Sequence, residues 1–343
     1  MKIYLLRQHS KPFGGAEAYL SRLSSELERQ GIEHEVIHSK APLFLTSWIR
    51  ALLFNLQVCL TKKNRFYFSL ERITCPDLYR AGDGVHKAYM ERLKIQSFNP
   101  LHWVYLFLER RCFEKSRCII ANSQMVKREI MEHYQIPSEK IEVVYNGVPL
   151  KESDPLKAKK ELSREFGINE ESKILLFVGS GFERKGVASF LKLLSTLEGN
   201  FIAFVVGKEK RMSRYEALAE SLGLKERVIF TGARGDVERF YAASDIFLFP
   251  THYEPFSNVV LEALSQGCVV FTTAQNGASE ILPQEQIMKD PGDLGIQKHL
   301  QELLYNPSLL EQKKGESKKI AQGFGMEANV QKSMEIITRL IHD

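Results

Sequence analysis

An α/β fold of two doubly wound parallel-sheet domains is what this sequence predicts, and three observations predict it. Short apolar runs alternate with longer amphipathic ones along almost the whole chain, the β-α-β signature of parallel strands with helices on both faces. A stretch with two prolines and alternating charge, NGVPLKESDPLKAKK (146 to 160), interrupts that series at mid-chain. At 343 residues the chain exceeds one ordinary domain, and each of two would be large enough to bury its own core.

Taken in order, KIYLL (2 to 6) reads as a strand, AEAYLSRLSSELERQG (16 to 31) as a helix closed by glycine, and HEVIH (34 to 38) as a second strand. CIIANS (118 to 123) and KIEVVYNGV (140 to 148) follow as strands before the interruption. After it come KILLFVG (173 to 179), FIAFVVG (201 to 207), VIFTG (228 to 232), IFLFP (246 to 250) and CVVFTT (268 to 273), with helical stretches between. The expected boundary lies near residue 150, giving domains 1–150 and 151–324, and the last segment, FGMEANVQKSMEIITRLIHD (324 to 343), reads as a helix. Two such domains in series predict a cleft lined by the loops at the carboxyl ends of their strands.

Composition excludes several classes. The chain is 44% apolar and 26% charged, ordinary values for a soluble globular protein. Cys59, Cys75, Cys112, Cys118 and Cys268 form no C-x-x-C pair, and the odd count suits neither a disulfide framework nor a zinc site, so a reducing compartment is expected. Too few apolar residues precede Arg7 for a signal peptide, and no uncharged apolar run approaches the roughly 18 residues that a membrane span requires. Charge is uneven: residues 1 to 150 hold 22 Lys and Arg against 15 Asp and Glu, a net of +7, and the remainder holds 25 against 27, a net of −2. The first half is therefore the one drawn to an anionic surface.

The chemistry-bearing motifs fall at strand ends. EPFSNVVLEALSQG (254 to 267) follows the strand IFLFP and places Glu254 in the loop and Glu262 inside a helix that Ser257 would cap. Backbone N–H groups of Phe256, Ser257, Asn258 and Val259 would face a phosphate at the helix start, and Glu262, one turn deeper, would reach a ribose. The plainer reading, Glu254 complementing the helix dipole and Glu262 a solvated face residue, stays open on spacing alone. GSGFERKG (179 to 186) follows KILLFV and brings Arg184 and Lys185 to the same edge, while KEKR (208 to 211) follows FIAFVVG and offers Lys210 or merely a solvated charge run. Three strand ends of the second half thus supply a helix start and fixed cations, the means to hold a diphosphate without a metal.

Together these residues carry a resemblance. The E-x7-E of Glu254 and Glu262, the R-K-G of Arg184 to Gly186, the N-G-V of Asn146 to Val148 and the F-G-G-A-E of Phe13 to Glu17 match, in order, the family 4 retaining glycosyltransferases. Within that family the chain is similar to the lipopolysaccharide core glucosyltransferase that adds glucose to inner-core heptose, sharing F-x-R-K-G-V, a lysine like Lys210 after a V-V-G strand, an E-A-L-A-E helix and an A-G-D turn like Ala81 to Asp83. The resemblance implies two Rossmann-like domains facing a cleft, the GT-B type, with an acceptor-binding first domain onto which residues 325 to 343 pack back and a donor-binding second domain. It implies that Glu262 binds the donor ribose, Glu254 contacts the transferred hexose, and Arg184 and Lys210, helped by Lys185, stabilise the leaving diphosphate. Gly14 and Gly15 would let a loop approach the phosphate and the acceptor. No cofactor and no metal are implied, in keeping with the missing D-x-D triad. The donor expected is a UDP-sugar and the acceptor a cell-envelope saccharide or lipid-linked saccharide.

RAGDGVHKAY (80 to 89) adds Asp83 and His86, which would orient the acceptor hydroxyl or the donor sugar; the alternatives are a turn aspartate and an exposed histidine. Where the similar enzyme has an acidic residue four positions past its second glycine, this chain has Tyr19, with Glu17 nearer and offered as the acceptor-side carboxylate. Two aromatic segments that close in basic clusters, 44 to 66 and 98 to 117, read either as helices packed on a sheet or as helices lying in a membrane interface. The expectation is a cytoplasmic enzyme peripheral on the inner leaflet, with no nucleic-acid partner. Epimerase or phosphorylase chemistry on the same architecture, or a catalytically silent sugar-nucleotide-binding module, are the competing readings.

Overall fold

The computed structural model describes residues 2–9, 15–96, 98–151 and 153–342. The chain divides into unit 1, residues 1–149 with 326–343, and unit 2, residues 150–325.

Unit 1 runs β1 (Ile3–Leu6), α1 (Gly15–Arg29), β2 (His34–Ile37), α2 (Ser47–Leu60), β3 (Phe66–Ser69), β4 (Leu78–Ala81), α3 (His86–Arg92), α4 (Pro100–Lys115), β5 (Cys118–Ala121), α5 (Gln124–Tyr134) and β6 (Ile141–Val143). Its six strands are all parallel, in the order β2-β1-β3-β4-β5-β6. Unit 2 runs α6 (Pro155–Phe166), β7 (Lys173–Val178), α7 (Phe182–Lys185), α8 (Val187–Leu194), β8 (Phe201–Val206), α9 (Met212–Ser221), β9 (Val228–Gly232), α10 (Val237–Ala243), β10 (Ile246–Phe249), α11 (Asn258–Gln266), β11 (Val269–Thr273), β12 (Ile287–Met288), α12 (Gln297–Tyr305) and α13 (Pro307–Gln322). Its sheet is also parallel, in the order β12-β11-β10-β7-β8-β9.

Strands buried on both faces must be apolar throughout, which is why β7, KILLFV, is buried from its second residue onward. The helix α6 starts where Asp154 accepts a hydrogen bond from Lys157 N with Pro155 behind it, and stops at Gly167 in the left-handed region. The last helix, α14 (Met326–His342), puts Val330, Ile336, Ile337 and Leu340 into the unit 1 core beside Ile3, Leu5 and Leu23. Asn329 on α14 accepts from Tyr19 OH at 2.9 Å and donates to Tyr145 O at 2.6 Å, tying α1 and the loop after β6 to it.

Three differences from the sequence reading stand out. The strands β3, β4 and β12 went unread, because β3 abuts a helical segment, β4 carries Arg80 in its interior, and β12 is two residues long. The strand expected over 140 to 148 ends at Val143, after which Asn146 is recruited as a hydrogen-bond acceptor for Arg80. Cys59 and Cys75 form a disulfide linking the end of α2 to the β3–β4 loop, which corrects the expectation of unpaired cysteines in a reducing compartment; the odd count was no guide because one bridge leaves three buried thiols.

Candidate active site

In each sheet the strand order reverses once, and there the loops leaving the carboxyl ends diverge and open a crevice. In unit 2 the reversal lies between β7 and β10; in unit 1 it lies between β1 and β3.

At the unit 2 reversal, β7 passes through Gly179 and Gly181 into the one-turn helix α7, which carries Arg184 and Lys185. Gly186 follows at φ 80°, and a Cβ there would overlap the carbonyl of Pro250, so only glycine lets α7 lie against the end of β10. The proximity is used at once. Arg184 O accepts from His252 N at 2.9 Å and from Thr251 Oγ1 at 3.2 Å, and Arg184 Nη1 donates to Tyr253 O and Glu254 Oε2, both at 2.6 Å. The Glu254 backbone is pinned in turn, donating to Gln275 O at 3.0 Å and accepting from Gly277 N at 2.9 Å.

Lys185 folds back along Gly179, whose added Cβ would come within 2.6 Å of its Cδ, and its ammonium lies 5.4 Å from the Phe249 ring centroid. Burial, helped by the Arg184 charge, pushes this ammonium below the ordinary lysine range even though Glu254 and Glu262 pull the other way. Ser257 sits at the N-cap of α11 in extended conformation, but its buried Oγ makes no capping bond and has no hydrogen-bond partner, which corrects the expectation of a side-chain cap. Phe256 is buried beside it, and Asn258 and Val259 form the first turn of α11, both half-buried. Glu262, half-buried four residues into that helix, accepts from Tyr241 OH at 3.2 Å.

Lys210 stands exposed in the turn before α9. What the KEKR segment fixes is its glutamate: Glu209 accepts from Phe182 N at 3.2 Å and Arg211 N at 3.1 Å, bonds that hold its carboxyl below the usual range and bind the loop after β8 to α7. A backbone-directed glutamate inside a basic run left no signal in the sequence.

At the unit 1 reversal, Arg7, one residue past β1, gathers three carboxylates. Its Nη2 donates to Glu17 Oε1 at 3.2 Å, and its Nη1 lies 3.3 Å from Asp83 Oδ2 and 3.1 Å from Glu71 Oε1. Surrounding protein partly desolvates Asp83, which stays exposed on one side, and the charges of Arg7, Arg72 and Arg80 outweigh that and hold the carboxyl below its usual range. His86 begins α3, its N–H donating to Glu109 Oε1 at 2.7 Å and its Nε2 lying 2.9 Å from His102 Nδ1. Burial, with the charge of Arg72 and the nearby His102, drives its pKa down to about 3, so it is a neutral, packed imidazole rather than an exposed one. The fully buried Glu109 also accepts from Arg72 Nε at 2.9 Å and Tyr134 OH at 2.6 Å. Arg7, Glu71, Arg72 and Glu109 were not found by sequence reading. Gly15 starts α1, and Gly14 lies outside the described residues. Tyr19 is buried, its ring under the Arg80 guanidinium at 3.6 Å.

Two family models match the chain in succession. A model for glycosyl transferases group 1 matches residues 158–320, and one for glycosyltransferase family 4 matches residues 79–152. The chain carries the domains of a group 1, family 4 glycosyltransferase. Lipopolysaccharide glucosyltransferase WaaG of Escherichia coli K12 is 34% identical over 212 residues, 59% of this chain and 56% of that protein. The chain spans about half the length of the curated relatives it matches. Among solved structures, WaaG superposes with a TM-score of 0.82 at 23% identity over 98% of this chain and 99% of that one. Anabaena Alr3699/HepE in complex with UDP-glucose gives a TM-score of 0.78 at 19% identity over 99% and 100%. The chain shares the GT-B fold of these structures.

Proposed function

We propose that this glycosyltransferase moves a hexose, glucose foremost, from a UDP-sugar to a cell-envelope saccharide, the lipopolysaccharide core above all, with retention and without a metal. The observation that carries the reading is the Arg184–Glu254 pair, 2.6 Å apart at the strand-order reversal of unit 2, with the half-buried Lys185 beside it.

Unit 2 is the donor half. Breaking the bond between the anomeric carbon and the diphosphate leaves negative charge on the β-phosphate. Fixed cations aimed at that charge lower the barrier without reorganising as it develops. Lys185, half-buried and with its ammonium held below the ordinary lysine range, gains from an arriving phosphate, and Arg184 is held in aim by two contacts on its Nη1. Glu254, its backbone fixed on both sides, is placed for the hydroxyls of the transferred sugar, and Glu262 for the ribose. The leaving phosphate takes the acceptor proton on the face it departs from, so no protein nucleophile is required.

Unit 1 is the acceptor half, with Asp83 and Glu17 as hydroxyl acceptors. Its exterior supports a peripheral place on an anionic, cytoplasmic membrane face. The helices α2 and α4 each bury one side, Phe54 and Val58 on α2, Leu108 and Phe113 on α4, and leave Leu56, Leu60, Trp103 and Phe107 exposed on the other. No helix among the described residues is long and apolar enough to cross a membrane.

The experiment is nucleotide release from UDP-, GDP- and ADP-sugars in EDTA, with and without a heptose-terminated core acceptor. Acceptor-dependent UDP release from one donor is the expected result and names the sugar. UDP binding without turnover of any donor would overturn the transfer reading in favour of a silent binding module.

A further inference from the structure

We propose that Arg7 is a positioning residue for transfer: its two terminal nitrogens hold Asp83 and Glu17 at a set separation on the carboxyl edge of the unit 1 sheet, with Glu71 as the anchor that fixes the guanidinium. This rests on the reading of Asp83 and Glu17 as the groups that meet the acceptor.

Residues from three loops and one helix start meet here. Arg7 follows β1, Glu17 lies in the first turn of α1, Glu71 follows β3, and Asp83 follows β4. Glu71 Oε1 accepts from Gln8 N at 3.1 Å as well as facing Arg7 Nη1 at 3.1 Å, so the anchor is tied to the same stretch of backbone that carries the guanidinium. Arg7 is 7% exposed and its Nε has no hydrogen-bond partner, which leaves the terminal nitrogens as its points of attachment. Asp83 keeps 42% of its side chain open to solvent while one oxygen is held from beneath. That is the geometry of a carboxylate offered to a ligand.

A guanidinium sets the spacing of two carboxylates because its nitrogens are fixed in one plane, whereas a lysine ammonium is a point charge that sets none. The neighbouring arginines cannot take over. Arg72 is spent on Glu109 and Gly84 O, and Arg80 on Asn146 and the Tyr19 ring. Without Arg7, three carboxylates would crowd one partly buried spot and repel one another apart. The ionised state of Asp83, for which the Arg7 charge is the largest favourable cause, agrees with this.

The test compares wild type with Arg7→Gln, Arg7→Lys and Glu71→Gln. In Arg7→Gln, acceptor-dependent kcat/KM should fall about 100-fold while UDP affinity, a unit 2 property, stays at the wild-type value. Added methylguanidinium should restore about 10-fold of that loss, and Arg7→Lys should recover little. Transfer by Arg7→Gln or Arg7→Lys at the wild-type level would overturn the proposal, as would a loss that methylguanidinium does not touch. Should Arg7→Gln fail to fold, Glu71→Gln decides: about a 3- to 10-fold fall in kcat/KM supports the anchor, and none overturns it. If wild type transfers to no acceptor, the functional reading fails separately. Carboxyl 13C titration then judges Arg7 alone, with Asp83 titrating about one unit higher in Arg7→Gln if it is held as described, and unmoved if it is not.

Discussion

Arg184 and Glu254, 70 positions apart in sequence, meet at 2.6 Å where the loops after β7 and β10 diverge. If Glu254 meets the transferred sugar as proposed, the contact orients the cation through that same carboxylate and the two groups act as one unit. Replacing Arg184 by Ala should lower the rate of acceptor-dependent UDP release at saturating donor by about 100- to 1,000-fold, the usual loss when one fixed transition-state donor is removed. Arg184→Lys should restore little, since Nη1 reaches both Tyr253 O and Glu254. A lysine variant with wild-type turnover would show that charge alone is what the site requires.

Glu262 is held by Tyr241 OH at 3.2 Å. If its carboxylate accepts from the ribose hydroxyls, Glu262→Ala should cost about 1.5 to 3 kcal/mol of UDP affinity, roughly 10- to 150-fold. Tyr241→Phe, which only loosens that carboxylate, should cost about 0.5 to 1.5 kcal/mol. Titration calorimetry with UDP reads both, and an unchanged affinity in Glu262→Ala rejects the ribose assignment.

Gly82 is required by a neighbour rather than by its own backbone. An added Cβ would overlap Arg80 Nη1, whose guanidinium passes beneath the turn to reach Asn146 and the Tyr19 ring. Gly82→Ala should therefore push a buried arginine off its partners and cost about 1 to 3 kcal/mol of stability, read as a lowered Tm. An alanine variant as stable as wild type would mean that Arg80 has a second resting place.

His86 sets a pH dependence. Its folded-state pKa lies near 3, against 6.5 for an unperturbed imidazole, through burial and the facing Arg72 and His102. Below pH 6.5 the unfolded chain takes up a proton that the folded chain refuses, so this group's contribution is complete above 6.5 and is lost as pH falls toward 3. A Tm series from pH 8 to about pH 4 should slope downward, and His86→Phe, which keeps the ring stack, should flatten the slope. Parallel curves for the two proteins would contradict a neutral, buried imidazole.

The unit 2 site was readable because its parts are contiguous. Glu254 to Glu262 is one loop and one helix turn, and Arg184 and Lys185 sit in a short glycine-bounded segment directly after an apolar strand. The unit 1 cluster was not, since Arg7, Glu71 and Asp83 share no local pattern and meet only through a strand order in which β1 lies beside β3. Reading β3 and β4 as strands would have placed Glu71 and Asp83 at sheet ends, but four-residue strands, one with an interior arginine, carry too little alternation to register. Glu109 illustrates a different limit. A glutamate in an aromatic helix looks solvated in sequence, yet it is fully buried because Arg72, Tyr134 and the start of α3 all converge on it.

The helices α2 and α4 each pack on the core by one side and leave apolar residues uncovered on the other. Trp103 is 68% exposed and Phe107 53%, one turn apart on α4, with Arg110, Arg111 and Lys115 following in the same helix. Such a surface gains about 25 cal/mol for each Å² of apolar area removed from water, and the adjacent basic residues add an attraction to anionic lipid that salt screens. The protein should float with anionic vesicles at low ionic strength, show a blue-shifted Trp103 emission there, and be released as salt rises. Because both side chains are largely exposed, Trp103→Ser with Phe107→Ser should leave Tm near wild type while reducing flotation. Recovery of wild type in the unbound fraction at low salt would remove the membrane from the proposed function and leave these residues as exposed apolar surface alone.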